Sequence, residues 1–253
     1  MARIRAEGAS LESTAPAMTP APVGVTPKPW GLPAIVGVLA LPVLLWASSF
    51  FLGVPEEVTV GEIIVGIVST IVFKDLLFIG LVAGVVIWRY RLSWRELGFR
   101  PFDRGLWWMP LVAVTACYIG LIVYSVVITA LGAKAPEQEE LDPFFESRAV
   151  LPLTAFALIV MAPLSEEILF RGFMFAGLIR RFSVPAAMVA SGFTFGMFHV
   201  AGLDTLALLL PIGLIGTLFA WLYYRTGSLW VNIGAHALFN SVSFLARAAA
   251  GSV

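Results

Sequence analysis

The sequence is poor in the residue types from which many enzyme sites are built. Cysteine occurs once, at Cys117 inside an apolar run, which excludes an intramolecular disulfide framework and a multi-cysteine metal site. Charged residues make up only 13% of the chain, and sixteen basic residues balance sixteen acidic ones. Because the chain has no net positive field to hold a polyanion, nucleic-acid binding is excluded as a function class.

Hydrophobic residues take the place of the missing charges. They make up 59% of the 253 residues, and the mean hydropathy is +0.92, whereas soluble domains are roughly 45 to 50% apolar. A hydrocarbon core is crossed by roughly 20 apolar helical residues. The sequence therefore predicts an all-α, polytopic transmembrane helical bundle of seven spans, near residues 31–52, 61–88, 105–131, 149–175, 184–200, 204–224 and 229–247. The second run would make an eighth span if it were divided at its centre.

The chain divides into a tail and one membrane domain. Residues 1–29 are rich in proline, alanine, threonine and serine, a composition that predicts a disordered N-terminal tail. Residues 30–253 are expected to form a single transmembrane helical domain. Basic residues alternate between successive connections, which predicts a cytoplasmic N-terminus for a multi-pass integral membrane protein. The size of the chain and the tail favour the plasma membrane of a prokaryote.

Few ionisable side chains interrupt the apolar runs. Each one at bilayer depth costs on the order of 3 kcal/mol, so each calls for an explanation. They are Lys74 and Asp75 in the second run, Glu166, Glu167 and Arg171 in the fourth, and the only two histidines, His199 and His236, in the fifth and seventh. Their concentration in the C-terminal half predicts a functional site there.

Spacing separates the two glutamates. Glu167 and Arg171 stand four residues apart on one helical face, which predicts an ion pair. Glu166 points about 100° away and has no partner on its own helix, so it is the candidate base. Pro163 and Ser165 predict a helix break and a cap just before it. The alternative is that all three charges form a buried structural network.

The histidines have helical neighbours of their own. His236 and Asn240 are also four residues apart, and two donors so placed can point at one developing oxyanion. His199 shares a face with Phe195, which is expected to hold its imidazole. Glu166 and His199 lie at similar distances from the turn near residue 182 and should meet, whereas the depth of His236 fits less well. Each histidine alone is also compatible with a packing role.

Three motifs on successive apolar segments carry a family resemblance. They are E-E-x-x-x-R from Glu166 to Arg171, F-x-x-x-H from Phe195 to His199, and H-x-x-x-N from His236 to Asn240. Together, and in this order, they resemble the CPBP family, the CAAX prenyl protease and bacteriocin-processing group of intramembrane endopeptidases. The resemblance places a protease-like core at residues 149–245 and gives no motif in the three spans before it.

The resemblance implies a mechanism and a class of substrate. Glu166 and His199 would activate a water molecule, His236 and Asn240 would stabilise the oxyanion, and Glu167 and Arg171 would shape the site. The group has been described both as metalloproteases and as glutamic proteases. No cofactor is favoured here, but zinc or another divalent metal held by Glu166, His199 and His236 stays open. The partners implied are the lipid bilayer and a membrane-anchored protein or peptide substrate, whether prenylated or not.

Two other function classes remain open. A proton- or ion-coupled transporter also uses buried charges, and Lys74 with Asp75 have no place in the protease account. A non-catalytic membrane protein of the bacteriocin-immunity type is the second alternative, although the intact motifs argue against it. Other intramembrane protease chemistries fit worse, because the sequence lacks H-E-x-x-H, G-x-S-G and paired aspartates within the spans.

Overall fold

Helices make up the fold. The computed structural model describes residues 29–49, 59–133, 142–200, 202–203 and 205–250, and these contain no strand. Residues 1–28 of the predicted disordered tail lie outside the described residues. The apolar runs form helices α1 Leu32–Ser49, α2 Val60–Arg89, α3 Arg104–Ala130, α4 Leu151–Leu178, α5 Val184–Met197, α6 Leu206–Thr226 and α7 Leu229–Ala250. The predicted all-α, multi-pass bundle is confirmed.

The helices differ in length. Within the described residues five are long and apolar enough to cross a membrane, namely α2, α3, α4, α6 and α7, while α1 and α5 are shorter apolar helices. The second apolar run is one helix of 30 residues, so it is not divided into two spans. Lys74 and Asp75 therefore lie near the middle of α2, about 20 Å from either end.

Wide π-helical turns interrupt α2 and α4. In α2 they cover Ile71–Asp75 and Gly84–Arg89, and in α4 they cover Phe156–Met161 and Glu167–Phe175. Such turns are rare and often occur at functional positions. Two of the four carry charged residues that the sequence places inside the spans.

The helix break predicted at Pro163 is wrong. Helix α4 continues through this residue, because the proline follows directly on the π-helical turn Phe156–Met161, where the backbone ladder is already altered. Ser165 does not cap a helix either. Its hydroxyl donates to Asp75 Oδ1 of α2 at 2.6 Å and lies 3.1 Å from the carbonyl oxygen of Ala162.

Glycines bring α5 and α6 into close contact. A Cβ atom added to Gly192 would clash with Thr217 and lie 2.7 Å from the carbonyl oxygen of Gly213. One added to Gly216 would lie 2.7 Å from the carbonyl oxygen of Gly192. Small residues allow helix backbones to approach in this way where lipid gives no hydrophobic drive to associate. The contact fixes α5, and with it the chain that leads to His199.

The connection before α3 sets the depth at which α7 begins. The backbone N–H of Leu229 donates to the carbonyl oxygen of Gly98 at 2.8 Å, and Tyr223 Oη donates to that of Leu97, also at 2.8 Å. Gly98 has a φ of +102° and lies against the Tyr223 ring, where no side chain fits. A Cβ atom on Gly172 of α4 would meet both Leu229 and Leu97. Helix α7 thus begins level with residue 172, inside the bundle.

We expect Gly192→Ala to destabilise the bundle. The added methyl group forces α5 and α6 apart, and overpacking of this kind costs about 1–3 kcal/mol. Thermal unfolding of the purified protein in detergent measures the loss as a lower Tm. Gly120→Ala on α3 is the matched control, since a Cβ atom there meets nothing within 4 Å. Equal Tm values for the two variants would contradict the close contact.

Candidate active site

Helix α4 places two consecutive carboxylates in the interior of the bundle. Glu166 is 6% exposed and Glu167 is fully buried. Because neighbouring residues on a helix point in different directions, the two side chains meet different partners. Glu167 contacts residues of α4 and α7, and Glu166 contacts α2 and α7. The two carboxylates therefore have different environments, although both lie near His236 of α7.

Glu167 is saturated with donors. Its Oε1 atom lies 3.0 Å from Arg171 Nη1 and 2.9 Å from His236 Nδ1. Its Oε2 atom accepts a bond of 3.2 Å from Asn232 Nδ2. Arg171 also donates through Nη2 to the carbonyl oxygen of Gly216 on α6, at 3.1 Å. The predicted ion pair of Glu167 and Arg171 is thus present and joins α4, α6 and α7.

Aromatic rings enclose the guanidinium of Arg171. Its centre lies 4.5 Å from the ring centroid of Phe195, 5.5 Å from that of Phe219 and 6.0 Å from that of Phe170. A guanidinium over ring faces is attracted by their quadrupoles, more strongly where water is excluded. The cation is held rigidly, so the carboxylate paired with it is held as well.

Glu167 fixes the orientation of His236. A carboxylate only accepts, so Nδ1 of the imidazole carries the proton and donates it. In the neutral ring Nε2 then carries the lone pair, and this atom lies 3.9 Å from Glu166 Oε2. The rings of Phe219 and Phe195 pack against the imidazole, with centroids at 5.2 and 5.8 Å. His236 therefore presents Nε2 to the second glutamate.

His199 lies just beyond the end of α5 and is oriented in a similar way. Its Nδ1 donates to the carbonyl oxygen of Phe195 at 2.9 Å, and the two rings pack with centroids 4.5 Å apart. Nε2 makes no hydrogen bond within the part of the chain that the structure describes. The same Phe195 ring also packs against His236, with centroids 5.8 Å apart, so the two imidazoles share one aromatic neighbour. Phe195 thus orients His199 through its backbone as well as its ring.

The depth of His236 matches that of Glu166 better than the sequence indicates. Counting from the turn at Ser228 puts the histidine too near the membrane surface. Because α7 begins level with Gly172, both Glu166 and His236 lie about 10 Å from that level at 1.5 Å per residue. The difference from the expectation arises in the connection before α3, which lets the α6–α7 turn sit inside the bundle.

Glu166 has no partner on its own helix among the described residues, as the spacing predicts, but it does have partners on other helices. Lys74 Nζ of α2 lies 2.8 Å from Glu166 Oε1 and 3.1 Å from Asp75 Oδ1. Ser165 donates to the same Asp75 oxygen. Lys74 and Asp75, for which the sequence offers no role in a protease, therefore belong to the same cluster as Glu166. Both residues are visible in the sequence as charges in the middle of a span. The sequence does not show that Lys74 pairs with Glu166, which lies 92 positions away.

The two asparagines of α7 have different partners. Asn240 Nδ2 donates to the carbonyl oxygen of Leu158 in α4 at 2.7 Å, so this donor is directed away from the expected shared oxyanion. Asn232, which sequence reasoning missed, contacts Glu167 and the carbonyl oxygen of Phe219. Its position one turn before His236, on the same face, could have identified it.

Comparison with known proteins agrees with the motifs. Residues 148–242 match the model of the type II CAAX prenyl endopeptidase Rce1-like family. The chain is also 32% identical over 105 residues to a Bacillus subtilis (strain 168) protein named "Putative membrane peptidase YdiL". That alignment covers 42% of this chain and 41% of the relative, so the match spans about two fifths of each. No solved structure matches the chain. The predicted family resemblance is confirmed over this segment.

The donor set does not fit a metal ion as it is arranged. Among the described residues no group of three or more histidine, cysteine, aspartate or glutamate side chains lies close enough to hold one. A zinc site needs three such ligands with an open fourth position. In addition, the Lys74 ammonium lies on Glu166 Oε1, where it supplies the positive charge that a metal would bring. Glu166, His199 and His236 are near one another without forming a coordination shell.

We expect Arg171→Met to cause a large loss of stability. Breaking a buried ion pair leaves Glu167 charged and unpaired at the centre of the bundle, which costs about 3–5 kcal/mol. A drop in Tm in detergent measures this. The double variant Glu167→Gln/Arg171→Met should recover part of the loss, because it removes both charges. Arg104→Met, at an exposed position of α3, is the control; a similar effect there would contradict the buried network.

Proposed function

We propose that this chain, with its type II CAAX prenyl endopeptidase-like segment 148–242, is an intramembrane endopeptidase that hydrolyses a peptide bond of a membrane-associated substrate. The observation that supports this best is the convergence of one carboxylate and two imidazoles inside the bundle. Glu166 Oε2 lies 3.9 Å from His236 Nε2, and the imidazoles of His236 and His199 both pack against the ring of Phe195. Each imidazole donates Nδ1–H to a neighbouring oxygen, so that Nε2 of the neutral ring carries the lone pair. Such groups suit the activation of a water molecule.

The proposed step begins with a water molecule held between Glu166 and His199. Glu166 takes a proton from the water as the water oxygen forms a bond to the scissile carbonyl carbon, and the carbonyl oxygen becomes an oxyanion. Glu166 then returns the proton to the leaving amine as the C–N bond breaks. His199 accepts a hydrogen bond from the water through Nε2, because Nδ1–H is committed to the carbonyl oxygen of Phe195.

The role of His236 in this scheme depends on whether its ring carries one proton or two. With Nδ1–H donated to Glu167, its Nε2 donates to an oxyanion only when the ring carries a second proton. Glu167 stabilises that imidazolium by its negative charge, as the buried carboxylate does for the histidine of a serine protease. Glu167, Arg171 and Asn232 thus act on the reaction by positioning His236 and do not contact the substrate.

The substrate class follows from the depth of the site. Glu166 lies in the interior of a span, so a peptide bond must reach it within the bilayer or from a cleft in it. A membrane-anchored protein or peptide, prenylated or otherwise lipidated near its C-terminus, meets this requirement. We further propose that the enzyme works in the plasma membrane of a prokaryote. The contacts of Lys74 with Glu166 and Asp75 support the protease over the transporter, because they give both residues a place in the cluster around the proposed base.

We expect Glu166→Gln to lower cleavage by about 10²–10⁴-fold, the usual effect of removing a general base. The assay uses purified protein in liposomes with two quenched fluorescent peptides, one ending in a farnesylated CAAX sequence and one anchored by palmitate. Glu62→Gln, at the exposed start of α2, is the control and should cleave at the wild-type rate. Equal cleavage by Glu166→Gln would contradict the role of Glu166. Cleavage of neither peptide by the wild type would contradict the substrate class.

We expect hydrolysis to be independent of a metal ion. The reason is the contact of 2.8 Å between Lys74 Nζ and Glu166 Oε1, which already supplies the carboxylate with a positive neighbour. Cleavage of the same peptides should be unchanged after dialysis against EDTA and against 1,10-phenanthroline. A loss of activity that zinc or another divalent ion restores would overturn this part of the proposal.

A further inference from the structure

The donors that the motifs offer to an oxyanion are partly engaged with other groups in the described residues. Asn240 directs an N–H of its amide to the carbonyl oxygen of Leu158, and His236 donates its one N–H, when neutral, to Glu167. An oxyanion formed in a medium of low dielectric needs donors already in place. Of the two residues that the resemblance assigns to this task, Asn240 thus keeps one N–H of its amide, and His236 keeps none while its ring is neutral.

Lys74 is the cation nearest to the proposed base. It lies in the π-helical turn Ile71–Asp75 near the middle of α2, and its ammonium contacts Glu166 at 2.8 Å and Asp75 at 3.1 Å. An ammonium has three N–H donors, so two are used and one remains. The side chain is 35% exposed, whereas Asp75 is 1% exposed. Lys74 can therefore be approached from outside the bundle, while the acid beside it cannot.

We propose that Lys74 is a catalytic residue of this protease, a donor that stabilises the oxyanion beside Glu166. This inference rests on the proposed function. In the resting enzyme the ammonium neutralises Glu166 and Asp75. A substrate carbonyl placed for attack by the Glu166-bound water has its oxygen within reach of the same ammonium.

The charge changes in the step favour this role. When Glu166 takes the proton of water it becomes neutral and loses much of its attraction for Lys74. At the same moment the negative charge moves through the attacking water oxygen to the carbonyl oxygen. The Lys74 ammonium keeps its three protons, and its remaining N–H donates to the new oxyanion. As the C–N bond breaks, Glu166 gives its proton to the amine and becomes the anion that pairs with Lys74 again.

Asp75 and Ser165 hold Lys74 in place for this step. Asp75 Oδ1 accepts from both the ammonium and the Ser165 hydroxyl, and Ser165 directly precedes Glu166 on α4. The contact therefore fixes α2 against α4 next to the base. A structural role would end there: Lys74 would only balance the charges of Asp75 and Glu166. The two roles differ in the double variant that removes Lys74 and Asp75 together and in the binding of a mimic of the oxyanion.

The test compares Lys74→Met, Asp75→Asn and the double variant Lys74→Met/Asp75→Asn, with the two peptides in liposomes. We expect Lys74→Met to lower kcat by about 10²–10³-fold, as the loss of one oxyanion donor does, with little change in KM. The double variant has the net charge of the wild type, so it should fold, and it should remain as slow as Lys74→Met. Lys74→Arg keeps a positive charge and N–H donors, so its kcat should lie between that of Lys74→Met and that of the wild type.

A second measurement uses a peptidyl trifluoromethyl ketone, which mimics the oxyanion. Lys74→Met should weaken its inhibition by the same factor as kcat. Recovery of wild-type kcat in the double variant, or unchanged inhibition by the ketone in Lys74→Met, would overturn the inference and leave Lys74 as a counter-ion. Since wild type and Glu166→Gln are assayed in parallel, failure of the proposed function is seen separately: the wild type would then cleave no faster than Glu166→Gln.

Discussion

The buried carboxylate of Glu167 is the contact on which the site depends. It receives donors from Arg171 on its own helix and from His236 and Asn232 on α7. A charge at this depth is tolerated only when its lone pairs are satisfied, because water is not there to replace a lost partner. The helices can therefore pack in only one register if this group is to be ionised. His236 is positioned by that electrostatic requirement, and the phenylalanine rings around it only complete the packing.

The contrast between the two glutamates explains how one helix turn serves both structure and chemistry. Glu167 has a donor on each oxygen, so both of its oxygens are held by the network. Glu166 has Lys74 on one oxygen, while its other oxygen lies 3.9 Å from His236 and is outside hydrogen-bond distance. A rotation of about 100° between neighbours on a helix is enough to produce this difference. A pair of adjacent acids is thus divided into one that fixes the site and one that can exchange a proton.

Local contacts of the site could be predicted from the sequence, and distant ones could not. The pairs Glu167–Arg171 and Phe195–His199 are four residues apart, so helical geometry alone brings them together. The contact of Lys74 with Glu166 depends on how α2 packs on α4, which no periodicity reveals. The depth of His236 depends on a non-helical connection that carries the start of α7 into the bundle. The all-α fold and the seven apolar helices of the described residues follow from composition and run length, which need no knowledge of packing.

The π-helical turns bear on two further differences between expectation and structure, namely the helix that continues through Pro163 and the contact of Asn240 with Leu158. In a membrane, irregular backbone is tolerated where protein or a cavity covers it, so such turns belong where a helix faces the polar interior. The turn Phe156–Met161 contains Leu158, whose carbonyl oxygen accepts from Asn240, and the turn Ile71–Asp75 presents Lys74 and Asp75 to α4. In a regular α-helix the backbone carbonyls accept hydrogen bonds from the same helix, and consecutive residues are related by a rotation of about 100° around its axis. The turns Phe156–Met161 and Ile71–Asp75 therefore carry backbone and side-chain groups whose partners lie on neighbouring helices, partners that lipid cannot supply.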